Sequence, residues 1–231
     1  MTTIASALQA VKGRIATSAQ QAGRMQQAIR LLAVSKTFPA EAVREAFHAG
    51  QTAFGESYVQ EALAKIEALR ALPLEWHFIG PLQSNKTRQV AEHFAWVHSV
   101  DREKIADRLS AARPGIMPPL QVCIEVNVSG EASKGGVAPR QVESLAAHVR
   151  GLPRLRLRGL MAIPAPAADI TLQRQQFRLL RELLADLNGK NFQLDTLSMG
   201  MSDDLEAAIA EGATIVRVGS AIFGARTKGH L

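Results

Sequence analysis

The feature that most constrains this chain is a regular alternation of strand-like and helix-like segments that runs from residue 31 almost to the end. Apolar runs that read as strands occur at Leu31–Ser35, Ala53–Gly55, Glu75–Gly80, Trp96–Ser99, Leu120–Val128, Leu155–Ile163, Leu194–Ser198 and Thr214–Val218. Helix-like stretches separate them at Ala40–Ala49, Tyr58–Ala71, Asn85–Phe94, Arg102–Ala112, Pro139–Arg150, Leu172–Asn188 and Asp203–Glu211, and a short final helix is expected after Gly219. A further helix is expected over residues 2–28, where Ile4, Leu8, Val11 and Ile15 make an apolar stripe at helical spacing. Strict βα alternation implies parallel strands, because each crossover returns the chain to the same end of the sheet. Eight such units, with no Gly/Ser-rich break in 231 residues, suggest an α/β fold: a single (β/α)8 TIM barrel domain over residues 1–231, with the N-terminal helix packed outside. An open, doubly wound sheet is the alternative. Against it, the first βα turn, Ser35-Lys36-Thr37-Phe38-Pro39, contains no glycine and so lacks the dinucleotide fingerprint.

Composition narrows the functional classes. Hydrophobic residues make up 47% of the chain, enough for a sizeable core. Cys123 is the only cysteine and lies in the apolar run Leu120-Gln121-Val122-Cys123-Ile124. It cannot form an internal disulfide, metal-ligand spacing is absent, and it reads as a small buried hydrophobe. The N-terminus lacks the charged and apolar regions of a secretory signal, and no stretch has membrane-spanning length. The expectation is a cytoplasmic protein without membrane contact. The net charge is +6, but the basic residues are scattered and aromatics reach only 5%. That pattern argues against nucleic acid and suits a small anionic ligand equally well.

In a barrel of this kind the reactive groups gather at the C-terminal ends of the strands, and phosphates bind at the loops after strands seven and eight. Lys36 follows the apolar run Leu31-Leu32-Ala33-Val34-Ser35. It either emerges into solvent or remains desolvated, in which case its lowered pKa makes it a nucleophile toward aldehydes. The seventh strand is followed by Ser198-Met199-Gly200-Met201-Ser202 and the eighth by Gly219-Ser220-Ala221. Small residues, hydroxyls and backbone N–H groups at a helix start equip both loops to cradle a phosphate. Helix capping by Ser202 and Ser220 is the plainer explanation and accounts for part of the pattern. Asp203 and Asp204 would repel an anion and are expected to turn away. Arg217 shares a face with Ile215 and Gly219, so it points toward the barrel mouth, where either a carboxylate or a ligand must satisfy it. His77, near the end of the third strand, is by default a satisfied core histidine.

Several motifs resemble one family. Ala33-Val34-Ser35-Lys36-Thr37, Phe54-Gly55-Glu56, Trp76-His77-Phe78-Ile79-Gly80-Pro81-Leu82-Gln83-Ser84-Asn85-Lys86, Arg158-Gly159-Leu160-Met161, Leu197-Ser198-Met199-Gly200-Met201-Ser202-Asp203-Asp204 and Arg217-Val218-Gly219 are similar to those of the pyridoxal-phosphate homeostasis protein family. The resemblance spans about residue 5 to residue 226. It implies the barrel of the alanine racemase N-terminal domain and pyridoxal 5'-phosphate (PLP) held as a Schiff base. By position, Lys36 resembles the Schiff-base lysine. Ser198, Ser202, Gly219 and Ser220 resemble the phosphate cradle, with N–H groups of Met201 and Ser220 contributing. Arg217 resembles the arginine that faces the pyridine nitrogen, and Met161 and His77 match pocket-lining positions. Ser57 stands where most members have asparagine; its shorter reach puts a direct cofactor contact in doubt and suggests an intervening water.

The same resemblance implies a carrier that buffers and delivers PLP, with apo-forms of PLP-dependent enzymes as partners. An arginine at the ring nitrogen makes the ring a weak electron sink. A racemase of this fold takes its second base, a tyrosine, from a further C-terminal domain. Here the sequence ends at Leu231 and its only tyrosine is Tyr58. The expectations are therefore a non-catalytic monomer, with a weak racemase-type enzyme and a cofactor-free Schiff-base aldolase as alternatives. Lys134, in the glycine-rich run Ser129-Gly130-Glu131-Ala132-Ser133-Lys134-Gly135-Gly136 after the fifth strand, is either a solvated loop lysine or a transient acceptor of the aldehyde during transfer.

Overall fold

The computed structural model describes residues 3–131, 133–167 and 169–225. Thr2, where the N-terminal helix was expected to start, and residues 226–231 lie outside the described residues. Strands β1 (Arg30–Val34), β2 (Ala53–Glu56), β3 (Glu75–Phe78), β4 (Trp96–Val100), β5 (Leu120–Glu125), β6 (Leu155–Met161), β7 (Thr196–Ser198) and β8 (Ile215–Val218) form a closed parallel barrel in sequence order, with β8 pairing back onto β1. Helix α1 (Ile4–Gln21) precedes the barrel. The strands are followed in turn by α2 (Ala40–His48), α3 (Val59–Ala68), α4 (Thr87–His93), α5 (Glu103–Ala112), α6 (Val142–Arg150), α7 (Ile170–Gly189), α8 (Leu205–Ala210) and the single-turn α9 (Ser220–Phe223).

Strand periodicity explains how the barrel fills. On β1, Leu31 and Ala33 join the large core shared with the helices, while Leu32 and Val34 belong to a separate cluster with Ala53, Ile79 and Ile215 inside the barrel. Trp96, Cys123 and Met161 make a second interior cluster. Between sheet and helices lie Phe54, Phe78, Phe94 and Phe177, all fully buried, and each contributes about 1.5–3 kcal/mol by leaving water. Cys123 is a buried hydrophobe, as expected, and burial pushes its thiol up to about 12.

Helix α1 carries the expected stripe: Leu8, Val11 and Ile15 are buried, and the helix packs against α8 and α9. It ends at Gln21, well short of residue 28. Gly23 takes a φ of 64°, and the Gly23 and Arg24 N–H groups bond the Gln20 and Ala19 carbonyls at 3.0 and 2.8 Å. Those paired bonds around a left-handed glycine terminate a helix and satisfy its last carbonyls. The fifth strand also stops early. Beyond Glu125 the chain turns back, and Val137 bridges Val126, so residues 126–128 become the root of a loop.

Candidate functional site

Lys36 lies just beyond the C-terminal end of β1, part-buried, and lines a small cavity of about 30 Å³ with Val34, Phe38, Gly219, Ser220 and Gly224. Its chain neighbours are both fixed. The Ser35 hydroxyl donates to Glu56 Oε1 at 2.6 Å, and Lys65 Nζ donates to the Ser35 carbonyl and Glu56 Oε1, each at 2.7 Å. Glu61 Oε1 accepts from both Lys65 Nζ and the Thr37 N–H at 2.6 Å. Thr37 adopts a φ of 69°, a conformation uncommon for a β-branched residue and held here by that bond. Phe38 packs on Phe223 of α9, ring centroids 5.2 Å apart, tying the Lys36 loop to the loop after β8. Burial raises the pKa of Glu56 against the pull of Lys65, and its Oε2 is buried with no hydrogen-bond partner.

The two loops after β7 and β8 meet. Ser220 Oγ donates to Ser202 Oγ at 3.1 Å. Gly219 sits against β1, where an added Cβ would lie 3.1 Å from the Val34 carbonyl, so a side chain there would crowd the Lys36 cavity. Arg14 of α1 reaches the same place: its Nη2 donates to the Ser202 carbonyl at 2.9 Å, and it pairs with Glu206. The N-terminal helix therefore braces the loop after β7.

Other expected residues are placed differently. Ser202 does not cap α8, which starts at Leu205 after Asp204. Asp204 turns in rather than away: its Oδ1 accepts the Met201 N–H at 2.6 Å. Ser198 is fully buried, with Oγ bonded to His98 Nδ1 at 2.7 Å and to Arg217 Nη1 at 2.9 Å; its hydroxyl serves the barrel interior. His77 does not line the Lys36 cavity. It is fully buried, and both of its ring nitrogens are engaged, by Glu75 at 2.6 Å and His98 at 2.9 Å. Met161 is fully buried beside Trp96 and Cys123. Ser57 lines a different cavity of about 530 Å³, with Tyr58, Pro81, Leu82 and Lys86.

Arg217 is buried, as its position on β8 implied. Nη1 donates to the Ser198 carbonyl at 2.6 Å as well as to Ser198 Oγ, and Nη2 donates to the Ala162 carbonyl at 2.8 Å. These bonds use three of the five N–H groups a guanidinium carries. Among the described residues no carboxylate makes an ion pair with it. Burial lowers its pKa to about 10, against the opposing charges of Asp204 and Glu125.

Glu125 escaped the sequence reading, although its position two residues after the inward-facing Cys123 on β5 was a usable signal. It is buried at the barrel mouth under the 129–137 loop, where an added Cβ on Gly135 would lie 3.0 Å from Glu125 Oε1. Burial, with Asp101 adding to it, raises the carboxyl to about 7. Lys134, next to Gly135, is part-buried in a turn whose Asn127 Nδ2 donates to the Glu131 carbonyl at 2.8 Å. Ala132 of that run lies outside the described residues.

A part-buried amine, two facing hydroxyls, a glycine that admits close approach and a buried guanidinium thus converge on the same end of the barrel. Two hydroxyls and a cation suit a phosphate dianion, and the amine suits an aldehyde. Known proteins are similar to this chain in sequence and fold. The family described as alanine racemase, N-terminal domain, matches residues 7–227. A pyridoxal phosphate homeostasis protein of Pseudomonas aeruginosa is 63% identical over 229 residues, covering 99% of this chain and 98% of that protein. Among solved structures, PipY of Synechococcus elongatus with PLP bound is 39% identical, with a TM-score of 0.79 over 91% of this chain and 100% of that one. The alanine racemase of Corynebacterium glutamicum is similar in fold, with a TM-score of 0.69 at 17% identity over 97% of this chain and 63% of that one.

Proposed function

Because the chain belongs to the pyridoxal phosphate homeostasis protein family, we propose that it binds PLP, with Lys36 Nζ joined to the aldehyde carbon as a Schiff base, and holds the cofactor for delivery inside the cell. Bond formation consumes the amine and the aldehyde and releases one water. The observation that carries the reading is the shared cavity: Lys36 and the Gly219–Ser220 turn line one space, beside which the Ser202 and Ser220 hydroxyls face each other. PipY, solved with PLP bound, supports the same ligand here.

The donor set fits the group. Ser202, Ser220 and the backbone at Gly219 would hold the phosphate, Lys36 the aldehyde, and the remaining N–H groups of Arg217 would serve the ring nitrogen. Bound PLP supplies an electrophilic carbon and an electron-withdrawing ring. The surrounding residues restrain that chemistry. A buried guanidinium keeps its protons and would leave the ring nitrogen unprotonated, so a bound ring would withdraw electrons weakly. Tyr58 is 54% exposed and lines the other cavity, away from Lys36. These placements support a carrier with no rapid amino-acid chemistry. The recipients are apo-forms of PLP-dependent enzymes, the setting is the cytoplasm, and the working unit is a monomeric single domain.

The reading is tested by comparing PLP with pyridoxal. Charge-assisted bonds to the phosphate contribute about 1.5–3 kcal/mol each, so pyridoxal should bind at least about tenfold more weakly. Equal affinities would show that the Ser202 and Ser220 loops are not a phosphate site.

A further inference from the structure

A continuous polar line runs through the barrel interior. It starts at the N-terminal end of the barrel, where Glu75 Oε1 accepts from Arg30 Nη1 at 2.6 Å. It continues from Glu75 Oε1 to His77 Nε2 at 2.6 Å, from His77 Nδ1 to His98 Nε2 at 2.9 Å, and from His98 Nδ1 to Ser198 Oγ at 2.7 Å. It ends at Arg217, whose Nη1 lies 2.9 Å from Ser198 Oγ. From Glu75 to Arg217 four strands contribute, and the line crosses the lumen between β4 and β7. His77, His98 and Ser198 are fully buried, and the Trp96 ring stacks on His77 at 5.4 Å and 6°.

The direction of every bond is forced. A carboxylate only accepts, so His77 Nε2 carries a proton. Burial, opposed by Glu75, lowers the pKa of His77 and keeps the ring neutral, so Nδ1 accepts and His98 Nε2 donates. Burial, together with the charge of Arg217, holds His98 neutral as well; its Nδ1 accepts, and the Ser198 hydroxyl must donate to it. Ser198 Oγ then has only lone pairs to offer Arg217. The donors all run one way, from the guanidinium at the mouth to the carboxylate at the far end. Hydrogen bonds in such a chain polarise one another, the more so in an apolar lumen.

We infer that Glu75, His77, His98 and Ser198 are positioning residues for Arg217: a one-way relay through the barrel that fixes the guanidinium's orientation and so sets which N–H groups face the ring nitrogen. This rests on the cofactor reading above only for the identity of what Arg217 faces. The relay itself is a property of the chain without ligand. It gives a defined place to a buried arginine that, among the described residues, has no carboxylate in ion-pair contact. The far end of the line is Glu75, whose own ion-pair partner is Arg30; the charges that oppose burial at Arg217 itself are those of Asp204 and Glu125.

The test is nitrogen-15 NMR of the histidine rings and of the Arg217 guanidinium in the full chain before PLP is added. The relay requires both rings neutral at pH 7 with the proton on Nε2. Glu75→Gln, nearly isosteric at a partly exposed position, and His98→Gln, in the middle of the line, should each move the Arg217 Nε–H resonance, although neither is in hydrogen-bond contact with it. With PLP added, both variants should shift the visible absorption maximum and weaken binding by about tenfold, the loss expected of one charge-assisted hydrogen bond. A proton on Nδ1 of His98, or an Arg217 resonance unmoved in both variants, would overturn the relay. Failure of the wild-type chain to bind PLP would instead overturn the cofactor reading and leave the NMR result to decide the relay.

Discussion

The Asp204 carboxylate accepts the Met201 N–H at 2.6 Å, inside the loop that faces Ser220. A negative group therefore occupies one of the donors that an incoming phosphate could use. Burial raises the Asp204 pKa, with the Met201 bond and the Arg217 charge opposing. Asp204→Asn keeps an acceptor for the Met201 N–H and removes the repulsion. PLP should bind the variant more tightly, by about 1 kcal/mol, a typical effect of one partly screened charge. Titration by visible absorption checks this; weaker binding would mean that the charge, not the bond, organises the loop.

Arg14 braces the same loop from outside the barrel through the Ser202 carbonyl and Glu206. The pair is partly exposed, so Arg14→Ala should cost about 1 kcal/mol or less in denaturant unfolding. Retention of PLP should nonetheless fall several-fold, because the loop loses its tether. A stability loss with unchanged retention would limit Arg14 to a structural role.

The Lys65–Glu56–Glu61 cluster holds Ser35 and Thr37 on either side of Lys36. Lys65→Met strands the fully buried Glu56 and should destabilise by about 3–5 kcal/mol. Adding Glu56→Leu removes the stranded charge and should recover most of that loss without restoring PLP binding, since the Lys36 loop remains unfastened. Urea unfolding and PLP titration of both variants separate the two effects.

Glu125 and Glu75 give opposite pH signatures. Glu125 is raised to about 7, chiefly by burial, with Asp101 adding and Arg217 opposing. The unfolded chain then releases this proton first, and stability falls as pH rises from about 4.5 to about 7, by roughly 3 kcal/mol. Glu125→Gln should abolish that fall. In Glu75, burial is outweighed by the His77 bond and the Arg30 charge, and the carboxyl sits at about 2. Its contribution is full above the unfolded value and is lost as pH falls toward 2. Melting temperatures between pH 3 and pH 8 check both; a Glu125→Gln profile that parallels wild type would place Glu125 in water.

Much of this was legible in the sequence, because a βα alternation of this length leaves few ways to bury every apolar face. The barrel, the outer helix and the placement of Lys36, Ser202, Arg217, Gly219 and Ser220 at one end follow from it. What escaped was set by partners far apart in the chain. Ser198 looks like a loop hydroxyl until His98, a hundred residues away, is seen to bond it. His77 matches a pocket motif but faces Glu75 and His98 in the lumen. Asp204 bends inward because Met201, within the same turn, offers an N–H, a local contest that charge alone did not predict. Inward parity on β4 and β5 could have marked His98 and Glu125.

Lys36 is the lysine proposed to take PLP, and borohydride reduction of the PLP-loaded chain followed by peptide mass mapping decides whether it does. A phosphopyridoxyl group is expected on the Lys36 peptide, with loss of the visible absorption on reduction and a Lys36→Ala variant that folds but shows neither the label nor the colour. A label confined to another lysine, Lys134 included, or undiminished colour in Lys36→Ala, would contradict it.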